Sequence, residues 1–236
     1  MNEFPNSIEV TKQQIDLSDF TDVEKEYFIN FRDSLIDVYN SAQKDRVVVS
    51  LSGISGTGKS VAAAIVAELM KGLELKFVFY SVGLDAFHYS NSYLEELELR
   101  PVKGRYDTCD LEKLQRKLEA FNMGEVVTFP TYSREIHDPV GEEIDIKEGK
   151  AMLLIEGLWF LRDDEAWSKL RAQFYINIEI DGRSADTKTN VLKRHVRGGR
   201  SPEEAERFYE ASDSLNTAEI LKKSVEGDVV LPYYRF

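Results

Sequence analysis

Apolar residues recur along this chain with two periods that alternate. After Thr21, three residues before Glu24 as in a capping box, Phe28, Phe31, Leu35 and Val38 recur at helical spacing. That pattern predicts a helix over 21–43 with one apolar face. A β-branched run over 46–51 reads as a buried strand, followed by a glycine-rich turn and a helix over 59–71. Strands are expected over 76–82, 125–129 (short), 151–155, 174–180 and 228–231, the last also short. Helices are expected over 110–122, where Leu111, Leu114, Leu118 and Phe121 share a side, and over 184–196 and 202–214. Ser201, Pro202 and Glu204 place a cap, a first-turn proline and a capping-box glutamate in order. Strands alternating with helices predict a mainly parallel sheet covered on both faces. Ligands of such sheets bind beyond the carboxyl ends of the strands.

Composition narrows the picture. The 236 residues are 42% apolar and 31% charged, ordinary for a soluble globular chain. The length suits one large domain or one domain with an appendage. A single cysteine, Cys109, leaves no internal disulfide, so the cytoplasm is the expected compartment. No stretch approaches a membrane span, and residues 1–10 lack the basic and apolar regions of a signal peptide. The net charge of −12 argues against nucleic acid and membrane as partners. No Cys/His cluster has zinc spacing, and no Gly-x-Ser-x-Gly elbow is present. Trp159, Phe160 and Trp167 fit the core better than a ligand-stacking role.

The sharpest chemical signal is Gly53-Ile54-Ser55-Gly56-Thr57-Gly58-Lys59-Ser60, a G-x-x-x-x-G-K-[ST] loop between a strand and a helix. Its glycines let backbone N–H groups converge on phosphate oxygens. The helix behind it points its positive end at them. Lys59 supplies a cation for the β- and γ-phosphates, and Ser60 a hydroxyl ligand for Mg²⁺. The guanine-reading Asn-Lys-x-Asp is absent, which weakens a GTPase reading.

Asp85 directly follows the second strand of the alternation, on the ligand side of the sheet. It could accept a proton from an attacking hydroxyl, hold Mg²⁺, or simply cap a turn. His88 could touch a substrate or pack. Lys193, Arg194, Arg197 and Arg200 form a basic cluster in an acidic chain. On a helix Arg194 and Arg197 share a face, and Gly198-Gly199 supply a flexible end, as a lid requires. A solvated basic face is the alternative. Glu156, ending an apolar strand, could meet Mg²⁺ or serve a capping role.

These residues carry a family resemblance. Asp85-Ala86-Phe87-His88 resembles the Asp-Gly-Phe or Asp-Ser-Phe element of the uridine kinase, pantothenate kinase and phosphoribulokinase group. Lys103-Gly104-Arg105-Tyr106-Asp107 to Asp110, Pro130-Thr131-Tyr132 to Asp138 and Leu154-Ile155-Glu156-Gly157 resemble further segments of that group. Arg194 to Ala205 resembles the lid of its bacterial fructokinase-like branch. The match runs from Arg46 to about Leu231. Departures are Ala86, Arg105-Tyr106 in place of a small residue and proline, and Cys109 in place of an aromatic.

The resemblance implies a P-loop NTPase fold of class α/β. Its mainly parallel sheet would be flanked by helices, with an arginine-bearing helical lid and an extra N-terminal helix. Residues 1–45 would be a helical extension and 46–236 the P-loop domain, with its lid at about 184–205. The implied cofactors are ATP and Mg²⁺, and a homodimer is common in the group. The implied reaction moves the γ-phosphoryl group to a hydroxyl of a nucleoside such as uridine, a sugar or a pantothenate-like metabolite. Asp85, Lys59, Arg194 and Arg197 would be catalytic. The loop 53–60 and Arg200 would hold nucleotide, and Ser60 and Glu156 the metal. Asp85, His88, Lys103, Tyr132, Arg134 and His137 would meet the acceptor. The alternative is a nucleotide-gated regulatory module with no metabolite acceptor.

Overall fold

The computed structural model describes residues 4–10, 13–183 and 186–233. A hairpin, β1 (Ser7–Val10) and β2 (Gln13–Asp16), precedes α1 (Asp22–Ala42), β3 (Arg46–Ser52), α2 (Lys59–Lys71) and β4 (Val78–Gly83). After a 3-10 turn (Leu84–Phe87) come α3 (Asn91–Glu96) and α4 (Leu111–Asn122). A second antiparallel hairpin, β5 (Val127–Ser133) and β6 (Asp138–Ile146), leads to β7 (Ala151–Gly157), α5 (Glu165–Arg171) and β8 (Ile176–Asp181). The chain closes with α6 (Lys188–Arg197), α7 (Pro202–Phe208), α8 (Ser214–Lys223) and β9 (Val229–Pro232).

The central sheet is parallel throughout, in the order β4-β7-β3-β8-β9. Both its faces are covered, which is why β3 is buried along its whole length. The alternation of side chains divides it between two cores. Val47, Val49 and Leu51 of β3, with Met152 and Leu154 of β7, pack under α1, α2 and the first hairpin. Val48, Leu153 and Ile155 face the other way, against Leu114, Leu118, Phe121 and Trp167. Trp159 and Phe160 are buried in that second core too.

The capping box at Thr21 and Glu24 forms, with Phe28, Phe31, Leu35 and Tyr39 as the buried stripe of α1. Val38 stands at its half-buried edge. The strand expected over 125–129 extends to Ser133, because β6 pairs with it and shifts register on either side of Pro130. Proline cannot donate to a ladder, so a bulge there is the usual accommodation. The helix expected over 202–214 breaks into α7, a π-helical turn (Tyr209–Asp213) and α8, which runs on to Lys223. The lid helix expected from residue 184 is seen from Lys188; Ser184 and Ala185 lie outside the described residues. The first hairpin has too short an alternation to read, yet Ile8 and Leu17 bury it against the body of the protein.

Strand ends align at the carboxyl edge: Ser52 lies beside Gly157, and Glu156 beside Gly83. The phosphate loop, Asp85 and Glu156 therefore come from three neighbouring strands, β3, β4 and β7.

Candidate active site

Gly56 and Gly58 both adopt φ of 83°, a left-handed conformation that glycine takes without strain. A Cβ on Gly56 would lie 2.5 Å from the Thr187 carbonyl oxygen, so the approach of the lid-bearing segment also depends on that glycine. Thr57 Oγ1 donates to the Ile54 carbonyl at 3.0 Å, and Lys59 Nζ donates to the same oxygen at 2.9 Å. Lys59 is only 7% exposed. Burial, reinforced by Arg194, lowers its pKa to about 8 despite Glu156 and Asp85 nearby.

Ser60 Oγ donates to Glu156 Oε1 at 2.8 Å. Burial and the neighbouring Asp85 charge push the Glu156 carboxyl up. A hydroxyl and one carboxylate at the mouth of a phosphate loop suit Mg²⁺, which keeps several waters and binds phosphate oxygens alongside few protein ligands. Among the described residues, no group of three acidic, histidine or cysteine side chains forms a metal cage.

Asp85 lies in the 3-10 turn after β4, its side chain 51% exposed to the cleft. Desolvation by the cleft walls pushes its carboxyl up even though the side chain is half exposed, but His88, Arg134 and Arg194 outweigh it and hold it well below the usual carboxylate range. His88 is itself buried. Its Nε2 is 3.7 Å from Asp85 Oδ1, and its Nδ1 meets the Thr108 carbonyl at 3.1 Å and Cys109 Sγ at 3.4 Å. Burial disfavours the charged ring, but Cys109 and Asp85 raise its pKa well above the ordinary histidine value. The ring therefore favours its charged form behind the carboxylate and helps to hold Asp85 ionised.

Lys103 Nζ is tied to Asn91 Oδ1, the His137 carbonyl and Asp138 Oδ1 at 2.8–2.9 Å. It clamps the end of the second hairpin to the segment after Asp85 while lining the cleft. Tyr132, Arg134 and His137 come from that hairpin and face the same cleft. Burial raises the Tyr132 phenol. Burial, with Arg200 and Arg100, lowers the pKa of His137. Among the described residues Arg134 Nε is buried without a hydrogen-bond partner, a donor of the kind that anionic oxygens satisfy.

The arginines expected in a lid separate. Arg194 reaches Asp213 Oδ1 at 3.0 Å, and His195 Nε2 lies 2.8 Å from Asp213 Oδ2. Arg200 stacks on Phe208 and meets His195 Nδ1 at 3.1 Å. Arg200, expected with the nucleotide, thus stands in the cleft that holds Asp85. Arg197, expected at the chemistry, is exposed and lines a second cleft on the other side of the loop. Ile54 is buried beneath the loop and offers its carbonyl. Asp213, in the π-helical turn, is a buried carboxylate to which no motif pointed. A buried acid bridged to an arginine and a histidine 19 and 18 residues upstream is visible only once α6 and α7 pack together.

The two clefts meet at Lys59, Ser60, Arg134 and Arg194. On one side lie Asp85, Tyr132 and His137; on the other lie Gly56, Gly58 and Val61.

No family model matches the chain. The uncharacterized protein YggC of Escherichia coli K12 is 31% identical over 186 residues, which are 79% of this chain and 77% of YggC. A Schizosaccharomyces pombe protein provisionally named uridine kinase C227.14 is 25% identical over 213 residues, 84% of this chain and 90% of that one. A solved Silicibacter sp. TM1040 structure, provisionally named a fructose transport system kinase, superposes with a TM-score of 0.77 at 26% identity. It covers 87% of this chain and 98% of its own.

Proposed function

Because the chain belongs to the group of P-loop kinases that includes uridine kinase, pantothenate kinase and phosphoribulokinase, we propose that it moves the γ-phosphoryl group of ATP to a hydroxyl of a small metabolite. The observation that carries this reading is the meeting of the two clefts. An ionised aspartate opens on one side of Lys59, Ser60, Arg134 and Arg194, and the phosphate loop opens on the other.

Bound MgATP supplies the phosphoryl group and neutralises charge on its β- and γ-oxygens. Ser60 and Glu156 are the residues to hold the metal, Glu156 directly or through water. The loop amides and Lys59 take the phosphates. In the acceptor cleft the hydroxyl donates to Asp85. A bond forms from the acceptor oxygen to the γ-phosphorus, the bond from that phosphorus to the bridging oxygen breaks, and the hydroxyl proton passes to Asp85. An aspartate this acidic orients the hydroxyl first and receives its proton only as the new bond forms. Arg134 and Arg194 face the developing charge from both clefts. Tyr132 and His137 line the acceptor side, with Arg200 closing over it. A uridine, a sugar and a pantothenate-like alcohol all present the required hydroxyl.

The test is a screen of nucleosides, sugars and pantothenate-like alcohols for acceptor-dependent ADP release. Stimulation by one class is expected. Stimulation by none would favour a nucleotide-gated module. With that acceptor, Asp85→Asn should keep MgATP binding and lose turnover by about 10²–10⁴-fold. Near-normal turnover by the variant would remove Asp85 from the chemistry.

A further inference from the structure

The two clefts share a fifth residue, Gln13, the first residue of β2 in the N-terminal hairpin. Nothing in the phosphate-loop motif or in the lid calls for it. It brings a neutral amide to the boundary where Lys59, Ser60, Arg134 and Arg194 converge.

Beyond that boundary the second cleft encloses about 260 Å³. It passes Gly58 and Val61 at the first turn of α2, with Asn190 and Lys193 of the lid on one wall. The opposite wall is the hairpin, through Val10, Ile15 and Phe20. A nucleotide whose terminal phosphates sit in the loop must send its other end somewhere. The Asp85 side is taken by the acceptor. The first helical turn of α2, whose backbone N–H groups point away from the helix as at any helix start, continues instead past Ser60 and Val61, which line the second cleft. Asp16 on the hairpin and Lys193 and Arg197 on the opposite wall add charge to this cleft, but the hairpin's apolar side chains, Val10, Ile15 and Phe20, suit a ribose and a base, which a purely phosphate-binding channel would not need.

This wall is fixed in place. Ile8 and Leu17 are buried on either side of it, and Leu17 N donates to the Asn6 carbonyl at 2.8 Å. Phe20 packs against Phe4 and Phe28, ring centroids 6.1 and 5.9 Å apart. Phe28 belongs to the buried face of α1, so the hairpin is tied to the sheet through that helix.

Building on the ATP reading above, we propose that the β1–β2 hairpin is the nucleoside-side wall of the nucleotide site. Ile15 and Phe20 pack against the nucleoside, and the Gln13 amide donates to phosphate oxygens at the point of transfer.

The test compares two probes on the full chain by calorimetry: Mg²⁺ with adenylyl imidodiphosphate, and Mg²⁺ with inorganic tripolyphosphate. Ile15→Asn should weaken the nucleotide analogue about tenfold and leave tripolyphosphate unchanged, the cost of one apolar contact. Gln13→Ala should weaken both probes by a similar factor, because it acts on the phosphates. Thermal melting checks that each variant folds, and Gln13→Ala, outside the core, keeps the test open if Ile15→Asn does not fold. If the parent protein binds the analogue and neither variant alters its affinity, the hairpin is not part of the site. If Ile15→Asn weakens both probes equally, it merely supports the loop and the proposal fails. If the parent protein binds neither probe, the nucleotide reading itself is overturned, and this inference with it.

Discussion

Lys59 is a charge held where the empty protein is least suited to it, and removing it should make the protein more stable. Lowering a lysine from 10.5 to about 8 disfavours its ammonium form by about 3 kcal/mol. The sign follows from linkage. A base whose folded pKa is depressed costs stability at every pH below that value; the cost shrinks from about pH 8 to 10.5 and is gone above. Lys59→Met keeps the aliphatic volume, removes the buried charge and gives up the hydrogen bond to the Ile54 carbonyl, worth about 1 kcal/mol. The net expectation is a gain of about 2 kcal/mol at pH 7, or a rise in Tm of roughly 4–8 °C for a domain of this size. The assay is thermal unfolding followed by circular dichroism, with and without MgADP. At a hundredfold excess over Kd the parent protein should gain about 2.7 kcal/mol from the nucleotide, and the variant little. Phosphate favours the charged lysine, so parent affinity should fall by up to about tenfold per pH unit above pH 8, with proton uptake on binding. An empty variant that melts at or below the parent would refute the buried-charge argument.

Three further outcomes follow from the same geometry. Glu156→Gln keeps a partner for Ser60 but removes the negative charge, so turnover should need markedly higher Mg²⁺ concentrations, read from a metal titration at fixed ATP. Gly157→Ala would place a Cβ 2.6 Å from Leu84 Cβ, and Leu84 adjoins Asp85. A loss of about 1–3 kcal/mol in urea unfolding, with a fall in kcat larger than that in nucleotide affinity, is expected. Asp213→Ala strips the carboxylate from both Arg194 and His195. It should lower stability by about 1–3 kcal/mol, and an unchanged urea midpoint would show that the pair contributes nothing.

The legible part of the fold is the part set by local pattern. The apolar runs of β3 and β7 and the helical stripes of α1 and α4 declare themselves, because each is buried by its own periodicity. The glycine loop declares itself because its chemistry needs those residues in that order. What stayed hidden depends on distant partners. Strand β6 carries Pro139, Gly141 and four acidic residues, a composition that strand propensity disfavours, and exists through its pairing with β5. Asp213 gains its meaning from α6, and Gln13 from a hairpin whose four-residue strands are too short to show a period. The order of lid arginines along α6 likewise could not say which cleft each would face, since Arg200 lies beyond the helix end and folds back onto Phe208.

Among the described residues the second hairpin stands apart from the central sheet, with β5 paired to β6. The groups proposed for the transfer itself, Lys59, Ser60, Asp85 and Glu156, are anchored to adjacent strands of one rigid sheet. Tyr132 and His137, proposed to face the acceptor, and Arg134, proposed to face the developing charge, ride on a separate two-stranded arm. Reshaping that arm around a retained Arg134 would change what is admitted while Lys59, Ser60, Asp85 and Glu156 keep their places. Such modularity would let acceptor preference drift between descendants of one scaffold while the proposed transfer is kept.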